Sequence, residues 1–211
     1  MSARRTVLIL ALLGVTARGD DWLHLGRDDG RTRLPAETLA APGLLASAAT
    51  GSSAIASPVA SDGFLVVAGL DGTVRALRES DLAPLWSVAT GSPIVATPLA
   101  DHGRVYVSGL DGTVRILRLA DGGPLGSVAT GSSGHSSPLL SGGRLYLATA
   151  FPSASLKAID PGTNLVSWSA PLDQVTYSSP AVGGGKVVLP TNNGTLAAFD
   201  ASSGAPAWTA S

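Results

Sequence analysis

The chain is predicted to be all-β, a β-propeller of four-stranded antiparallel blades, and three observations carry that prediction. Gly69-Leu-Asp-Gly-Thr-Val-Arg75 recurs letter for letter at Gly109–Arg115, forty residues later. Four dipeptides, Ser57-Pro58, Thr97-Pro98, Ser137-Pro138 and Ser179-Pro180, follow the same period with spacings of 40, 40 and 42. Between them lie short β-rich runs punctuated by Gly, Pro and Asx, with no helical periodicity outside the leader. A hairpin unit repeating near forty residues cannot bury its faces alone and must stack on neighbours, as propeller blades do.

In chain order, Arg4-Arg5, the apolar run Val7–Val15 and the small-residue site Ala17-Arg-Gly19 match a secretory signal peptide over 1–19. The apolar run has nine residues. At ~1.5 Å each it is too short for a ~30 Å hydrocarbon layer, so no transmembrane segment is expected. Residues 20–44 read as an extended leader, with Leu34-Pro35 disfavouring helix. Leu45–Ser52 matches Leu85–Ser92 and Leu125–Ser132, so an isolated last strand is expected at about 45–52.

Four units follow, at 53–92, 93–132, 133–174 and 175–211. Five residues after each anchor proline stands Gly63, Gly103, Gly143 or Gly185, opening the run Phe64–Ala68, Arg104–Ser108, Arg144–Ala148 or Lys186–Pro190. The tight turns Asp71-Gly72, Asp111-Gly112 and Asn193-Gly194 come next, and they predict type I′ hairpins with positive φ at both central residues. In the third unit Phe151–Ser155 replaces the turn and supplies the two extra residues. A third strand follows (Val74–Leu77, Val114–Leu117, Leu156–Ile159, Leu196–Phe199), then a fourth beginning at Trp86, Gly126, Trp168 or Trp208.

The recurring pattern ends in Ala-x-Asp-x-x-x-Gly-x-x-x-Trp, clearest at Ala198-Phe-Asp200-Ala-Ser-Ser-Gly204-Ala-Pro-Ala-Trp208. It resembles the pyrroloquinoline quinone (PQQ)-like repeat and its tryptophan-docking motif. That superfamily includes quinoprotein alcohol dehydrogenases and the propeller lipoprotein of the outer-membrane β-barrel assembly machinery. The resemblance runs from about Leu45 onward, and Asp21–Asp28 resembles the openings of exported members. It implies that Trp86, Trp168 and Trp208 dock blade on blade, because an indole buries ~150–250 Å² and places one N–H. In the second unit Ile116 replaces Ala and Gly126 replaces Trp, so looser docking is expected there. WD repeats fit poorly, since no Trp here precedes Asp.

The resemblance would give the dehydrogenases a calcium-bound quinone, a vicinal-cysteine disulfide and a catalytic aspartate. The chain has no Cys, so that disulfide cannot form. Asp71 and Asp111 read as turn residues rather than calcium ligands. His24, His102 and His135 are too scattered for a zinc set. Ser136 and Ser137 beside His135 occupy the repeat's Ser-Pro position, which favours a structural role over a nucleophile. Asn193-Gly-Thr195 is a glycosylation sequon that coincides with a hairpin. No catalytic, cofactor-binding or metal residue is therefore assigned.

One position varies where its surroundings do not. Ile55, Val95, His135 and Tyr177 stand three residues before the anchor prolines, and His135 and Tyr177 are the candidate partner-facing residues. A cationic set, Arg75, Arg78, Arg115 and Arg118, alternates along its strands and reads as solvated edges. The formal net charge of −1 argues against nucleic acid. An abundance of Arg over Lys suits a GC-rich bacterial genome.

The leading strand finds no vacancy in a closed ring of four units, so an open partial propeller is expected, with self-association through open blade edges and a truncated chain as corollaries. The expected function is an exported, periplasmic or secreted, non-catalytic scaffold for protein interaction or envelope assembly, its partner a protein or the missing blades of the same propeller. The alternatives are the N-terminal part of a PQQ-dependent quinoprotein dehydrogenase, using PQQ and calcium, and a cell-envelope polysaccharide-binding propeller.

Overall fold

The computed structural model describes residues 47–211. The expected signal peptide (1–19), the leader (20–44) and the first two residues of the expected leading strand lie outside the described residues. Residues 47–52 carry no strand.

Four antiparallel meanders of four strands each follow. Blade 1 comprises β1 (Val59–Ser61), β2 (Phe64–Ala68), β3 (Thr73–Arg78) and β4 (Pro84–Ala89). Blade 2 comprises β5 (Leu99–Asp101), β6 (Arg104–Ser108), β7 (Thr113–Arg118) and β8 (Pro124–Ala129). Blade 3 comprises β9 (Leu139–Ser141), β10 (Arg144–Thr149), β11 (Ser155–Asp160) and β12 (Leu165–Pro171). Blade 4 comprises β13 (Ala181–Gly183), β14 (Lys186–Pro190), β15 (Leu196–Asp200) and β16 (Pro206–Ala210). The sheets stand side by side in an open arc, the partial propeller that the repeats predict. Among the described residues no helix is long and apolar enough to cross a membrane.

The turn chemistry corrects one expectation. Positive φ at two successive residues occurs in the links between the first and second strands of each blade. These are Asp62-Gly63 (50° and 79°), His102-Gly103 (47° and 71°), Gly142-Gly143 (56° and 76°) and Gly184-Gly185 (56° and 72°). The duplicated stretch instead makes a longer link. Gly72 N–H donates to the Gly69 carbonyl at 3.1 Å and Gly69 N–H to the Thr73 carbonyl at 3.0 Å. Only Gly72 is left-handed there (73°), as are Gly112 (73°) and Gly194 (85°), while Asp71, Asp111 and Asn193 are not. A two-residue link needs two left-handed residues to match the strand twist, whereas an i→i+3 turn closed by one left-handed glycine needs a single one. Gly72 is also required by space, since a Cβ there would lie 2.7 Å from the Ser92 carbonyl oxygen.

The core lies between blades. Strand alternation sends Val66, Ala68, Val74 and Ala76 of blade 1 toward Val105, Val107 and Leu117 of blade 2. Tyr106, Val114 and Ile116 likewise meet Leu145, Leu147 and Ile159. Tyr146, Ala148, Leu156 and Ala158 meet Val187, Leu189 and Phe199. In blades 1 to 3 the second strands are buried on both faces, which is why they read as nearly unbroken apolar runs.

The fourth strands begin ahead of the expected tryptophan or glycine positions. Each carries a β-bulge opposite the third strand, at Ala76/Leu77, Ile116/Leu117, Ala158/Ile159 and Ala198/Phe199. The bulge re-aims the following residue, so that Trp86 comes opposite Ala76 and Trp168 opposite Ala158.

Candidate functional site: the inner ring and the blade-docking tryptophans

The anchor Ser/Thr residues explain their own recurrence. Ser57 N–H donates to Thr97 Oγ1 at 3.1 Å, Thr97 N–H to Ser137 Oγ at 3.1 Å, and Ser137 N–H to Ser179 Oγ at 3.0 Å. Each blade thus hands a backbone proton to its successor's hydroxyl just before its innermost strand. Ser137 is a member of this row and Ser136 beside it is fully buried, so neither is presented as a nucleophile. Replacing Thr97 by Val keeps the shape but removes the acceptor for Ser57 N–H. The expected loss is about 1–3 kcal/mol, read as a lower urea midpoint with an unchanged m-value.

Two residues ahead of this row lie Ile55, Val95, His135 and Tyr177. The structure joins the two candidate partner-facing residues directly. The His135 and Tyr177 rings meet edge-on, with centroids 4.9 Å apart and planes at 65°. Tyr177 remains 50% exposed and Ile55 68% exposed. Burial lowers the His135 imidazole pKa, so it is neutral at pH 7. Beneath Tyr177, the buried Thr176 Oγ1–H donates to the Pro190 carbonyl at 2.7 Å and accepts from Ser178 N–H at 3.0 Å. The patch is therefore neutral and aromatic, and it rides on a fastened loop.

The Asp and Arg side chains at the second-to-third and third-to-fourth strand links of blades 1 and 2 are engaged within the blades. Asp71 Oδ1 accepts Thr73 N–H at 3.0 Å and Asp71 Oδ2 accepts Arg75 Nη2–H at 2.7 Å; Asp111 and Arg115 repeat the arrangement at 3.1 and 2.6 Å. Arg78 pairs with Asp81 at 2.9 Å and Arg118 with Asp121 at 2.8 Å. The cationic set is thus neutralised residue by residue. His102 hydrogen-bonds Asp101 at 2.7 Å, and that carboxylate raises its pKa. Asn193 plays the turn role of Asp71, accepting Thr195 N–H at 3.2 Å. Among the described residues no three His, Asp or Glu side chains group as a metal-ion donor set.

These carboxylates set an acid limit. Arg75 and Arg115 hold Asp71 and Asp111 below the usual carboxylate range, and the Ser202 and Ser203 hydroxyls bring Asp200 down to about 2. A depressed folded-state pKa stabilises the fold above the unfolded value, ~3.9, and loses that contribution as pH falls through the folded value. The urea midpoint should hold from neutral pH to about 5 and then fall between about 4 and 2, with a shallower fall in Asp200→Asn.

Docking by tryptophan follows a fixed geometry. Trp86 Nε1–H donates to the Leu119 carbonyl at 2.8 Å, and Trp168 Nε1–H to the Ala201 carbonyl at 3.2 Å. Each indole lies against a left-handed glycine of the next blade; a Cβ on Gly122 would sit 2.7 Å from Trp86 Cε3, and one on Gly204 2.7 Å from Trp168 Cδ2. Arg144 Nη1–H and the Tyr146 hydroxyl also donate to the Ala201 carbonyl, at 3.3 and 3.0 Å. Trp208, in the outermost strand of blade 4, is 43% exposed.

Between blades 2 and 3 the same joint is built from other parts. Gly126 stands opposite Ile116 where the other blades set Trp opposite Ala. Asn164, left-handed at 59°, takes the place of Gly122 and Gly204 and fills the space in which a Gly126 side chain would start. Arg104 Nη1–H donates to the Pro161 carbonyl at 2.8 Å, supplying the bond an indole would have made. Asn164 and Arg104 carried no flag in the sequence by themselves. The signal that finds them is the swap itself, Gly for Trp and Asn for Gly across one joint.

The architecture and the docking joints define a PQQ-like β-propeller repeat protein. The profile of the family described as outer membrane protein assembly factor BamB matches residues 29–125 and 110–211, and the chain belongs to that family. No curated protein matches it at the sequence level. Among solved structures it is similar to BamB from Moraxella catarrhalis, at 21% identity and TM-score 0.67, covering 78% of this chain and 54% of that one. It is similar to the quinohemoprotein alcohol dehydrogenase ADHIIG from Pseudomonas putida HK5, at 16% identity and TM-score 0.72, covering 90% and 40%. The quinohemoprotein alcohol dehydrogenase from Comamonas testosteroni gives 16% and 0.72, covering 92% and 41%. Likeness at these identities concerns the fold. The chain spans about half of BamB and two fifths of the dehydrogenases.

Proposed function

We propose that this chain is an exported, non-catalytic scaffold that engages a protein partner during outer-membrane protein assembly, meeting it at the inner end where His135 and Tyr177 lie. The observation that carries this reading is the assembly-factor family profile, which covers the chain in two overlapping matches. It is supported by the use of Asp71, Asp111 and Ser137 in turns and in the inter-blade row, roles that leave them to the fold rather than to chemistry. Export through residues 1–19 is part of the proposal. The test is to express the full chain in a bacterium lacking its own BamB-family protein and measure the amount of heat-modifiable, folded outer-membrane protein. Restoration by the chain, reduced in His135→Ala/Tyr177→Ala at equal abundance, is expected. No restoration overturns the reading.

A second reading is favoured by the dehydrogenase likeness, which extends over 90% of the chain. In it the chain is part of a quinoprotein dehydrogenase. Titration with PQQ and Ca²⁺ followed by dye-linked alcohol oxidation discriminates. Saturable oxidation by the purified chain would replace the scaffold reading.

A further inference from the structure

Asn193 is followed by Gly194, and neither of the chain's other asparagines, Asn164 and Asn192, precedes a glycine. Asn-Gly is the dipeptide at which asparagine most readily loses its amide nitrogen, because a following glycine puts no side chain in the way of its own backbone nitrogen. The link between β14 and β15 that carries it is exposed at Asn192, Asn193 and Gly194. That exposure does not come from its place in the arc. Asp111, the counterpart in blade 2, has its side chain 35% exposed with a blade on either side.

Both groups that would have to react are held. Asn193 Oδ1 accepts Thr191 Oγ1–H at 2.6 Å and Thr195 N–H at 3.2 Å. The Gly194 nitrogen, which must attack, donates its proton to the Thr191 carbonyl at 3.1 Å, and Thr191 N–H closes the link on the Thr195 carbonyl at 2.8 Å. Attack needs that nitrogen stripped of its proton and turned onto Asn193 Cγ, so these bonds must break first. The same link in blades 1 and 2 carries an aspartate. Gly72 and Gly112 N–H donate to the Gly69 and Gly109 carbonyls at 3.1 and 3.2 Å, and Asp71 and Asp111 accept Thr73 and Thr113 N–H at 3.0 and 3.1 Å. An aspartate in this place is therefore native to the fold.

We infer that Asn193 is a deamidation site gated by its own link: it converts when the β14–β15 link opens locally, and the aspartate it yields closes the same turn again. In the open link the Gly194 nitrogen bonds to Asn193 Cγ and gives its proton to solvent. The carboxamide C–N bond breaks, ammonia leaves, and a cyclic imide remains. Water then opens the ring. Cleavage between that nitrogen and Cγ gives aspartate on an unchanged backbone. Cleavage at the α-carbonyl gives isoaspartate, whose extra backbone atom takes the Gly194 to Thr191 bond out of register. The aspartate differs from Asp71 and Asp111 in one respect, since Ala197 stands where Arg75 and Arg115 supply a counter-charge. Its charge arrives beside the Tyr177 loop, because Asn192 N–H donates to the Val175 carbonyl at 3.1 Å. This chemistry is independent of the assembly reading.

Incubation of the purified full chain in mildly alkaline buffer tests it, with the mass of the peptide containing Asn193 followed over time and its aspartate and isoaspartate forms separated by chromatography. Conversion is expected to run at least tenfold slower in the folded chain than in guanidinium chloride. Thr191→Val removes the hydroxyl that holds Asn193 Oδ1 and keeps the carbonyl that holds Gly194. It should speed conversion several-fold in the folded chain and leave the rate in guanidinium chloride unchanged. Asn193→Asp should unfold at the same urea midpoint as the parent chain. Equal rates in the folded and unfolded chain, a Thr191→Val rate equal to the parent's when folded, or a lowered midpoint in Asn193→Asp would each overturn the inference.

Discussion

Replacing Trp168 with alanine should destabilise the fold by about 3 kcal/mol, at the lower end for aromatic truncation because the indole is only partly buried. For a domain of this size that is a fall of roughly 6–12 °C in melting temperature. The loss combines packing against Gly204 and Phe199 with an N–H···O bond to Ala201. The Ala201 carbonyl keeps Arg144 and Tyr146 as donors, so the polar share of the loss is small. Gly204→Ala attacks the same joint from the other side. Its Cβ would overlap the Trp168 ring, and φ of 73° disfavours any side chain. Calorimetry of both variants and of the double variant should show strong non-additivity, because once the indole is gone the new methyl has nothing to strike.

Gly126→Trp, the change that would make the second unit conform to the repeat, should be destabilising by about 1–3 kcal/mol. The new side chain meets Asn164 at its first carbon, and Ile116 fills the place of the alanine that faces the other tryptophans. The triple variant Ile116→Ala/Gly126→Trp/Asn164→Gly restores the joint seen between blades 1 and 2. It should return to within about 1 kcal/mol of the starting protein by urea unfolding. A triple variant no more stable than Gly126→Trp alone would mean that this joint is not built by compensation.

Much of this was legible in the chain. The period, the four units and the middle strands follow from anchors such as Ser57-Pro58 and from glycines such as Gly63, because left-handed turns and proline restrict the backbone locally. His135 and Tyr177 stood out in the chain as a position that varies within a constant frame, but their edge-on contact comes from the side-by-side placement of blades 3 and 4. Other features were not. Asp71-Gly72 looks like a two-residue hairpin turn, yet the hydrogen bonds from Gly69 to Thr73 widen the link and move the doubly left-handed turn to Asp62-Gly63. Looser docking was expected at Gly126. Arg104, Ile116 and Asn164 occupy that joint instead, and a single repeat shows none of this because the partners come from two blades.

The sequence by itself determined the repeat, the strand order within each blade and the residues able to dock, all consequences of local backbone preference and of alternation along short strands. Only the tertiary structure decided how the joints are satisfied. Whether the position-119 type of carbonyl receives an indole (Leu119), an indole together with a guanidinium (Ala201) or a guanidinium (Pro161) depends on side chains more than thirty residues away. The Gly69–Arg75 stretch shows the division. Its letters specify a turn and the local Arg75–Asp71 pair, but the approach of Ser92 to Gly72 exists only once the neighbouring segment is in place.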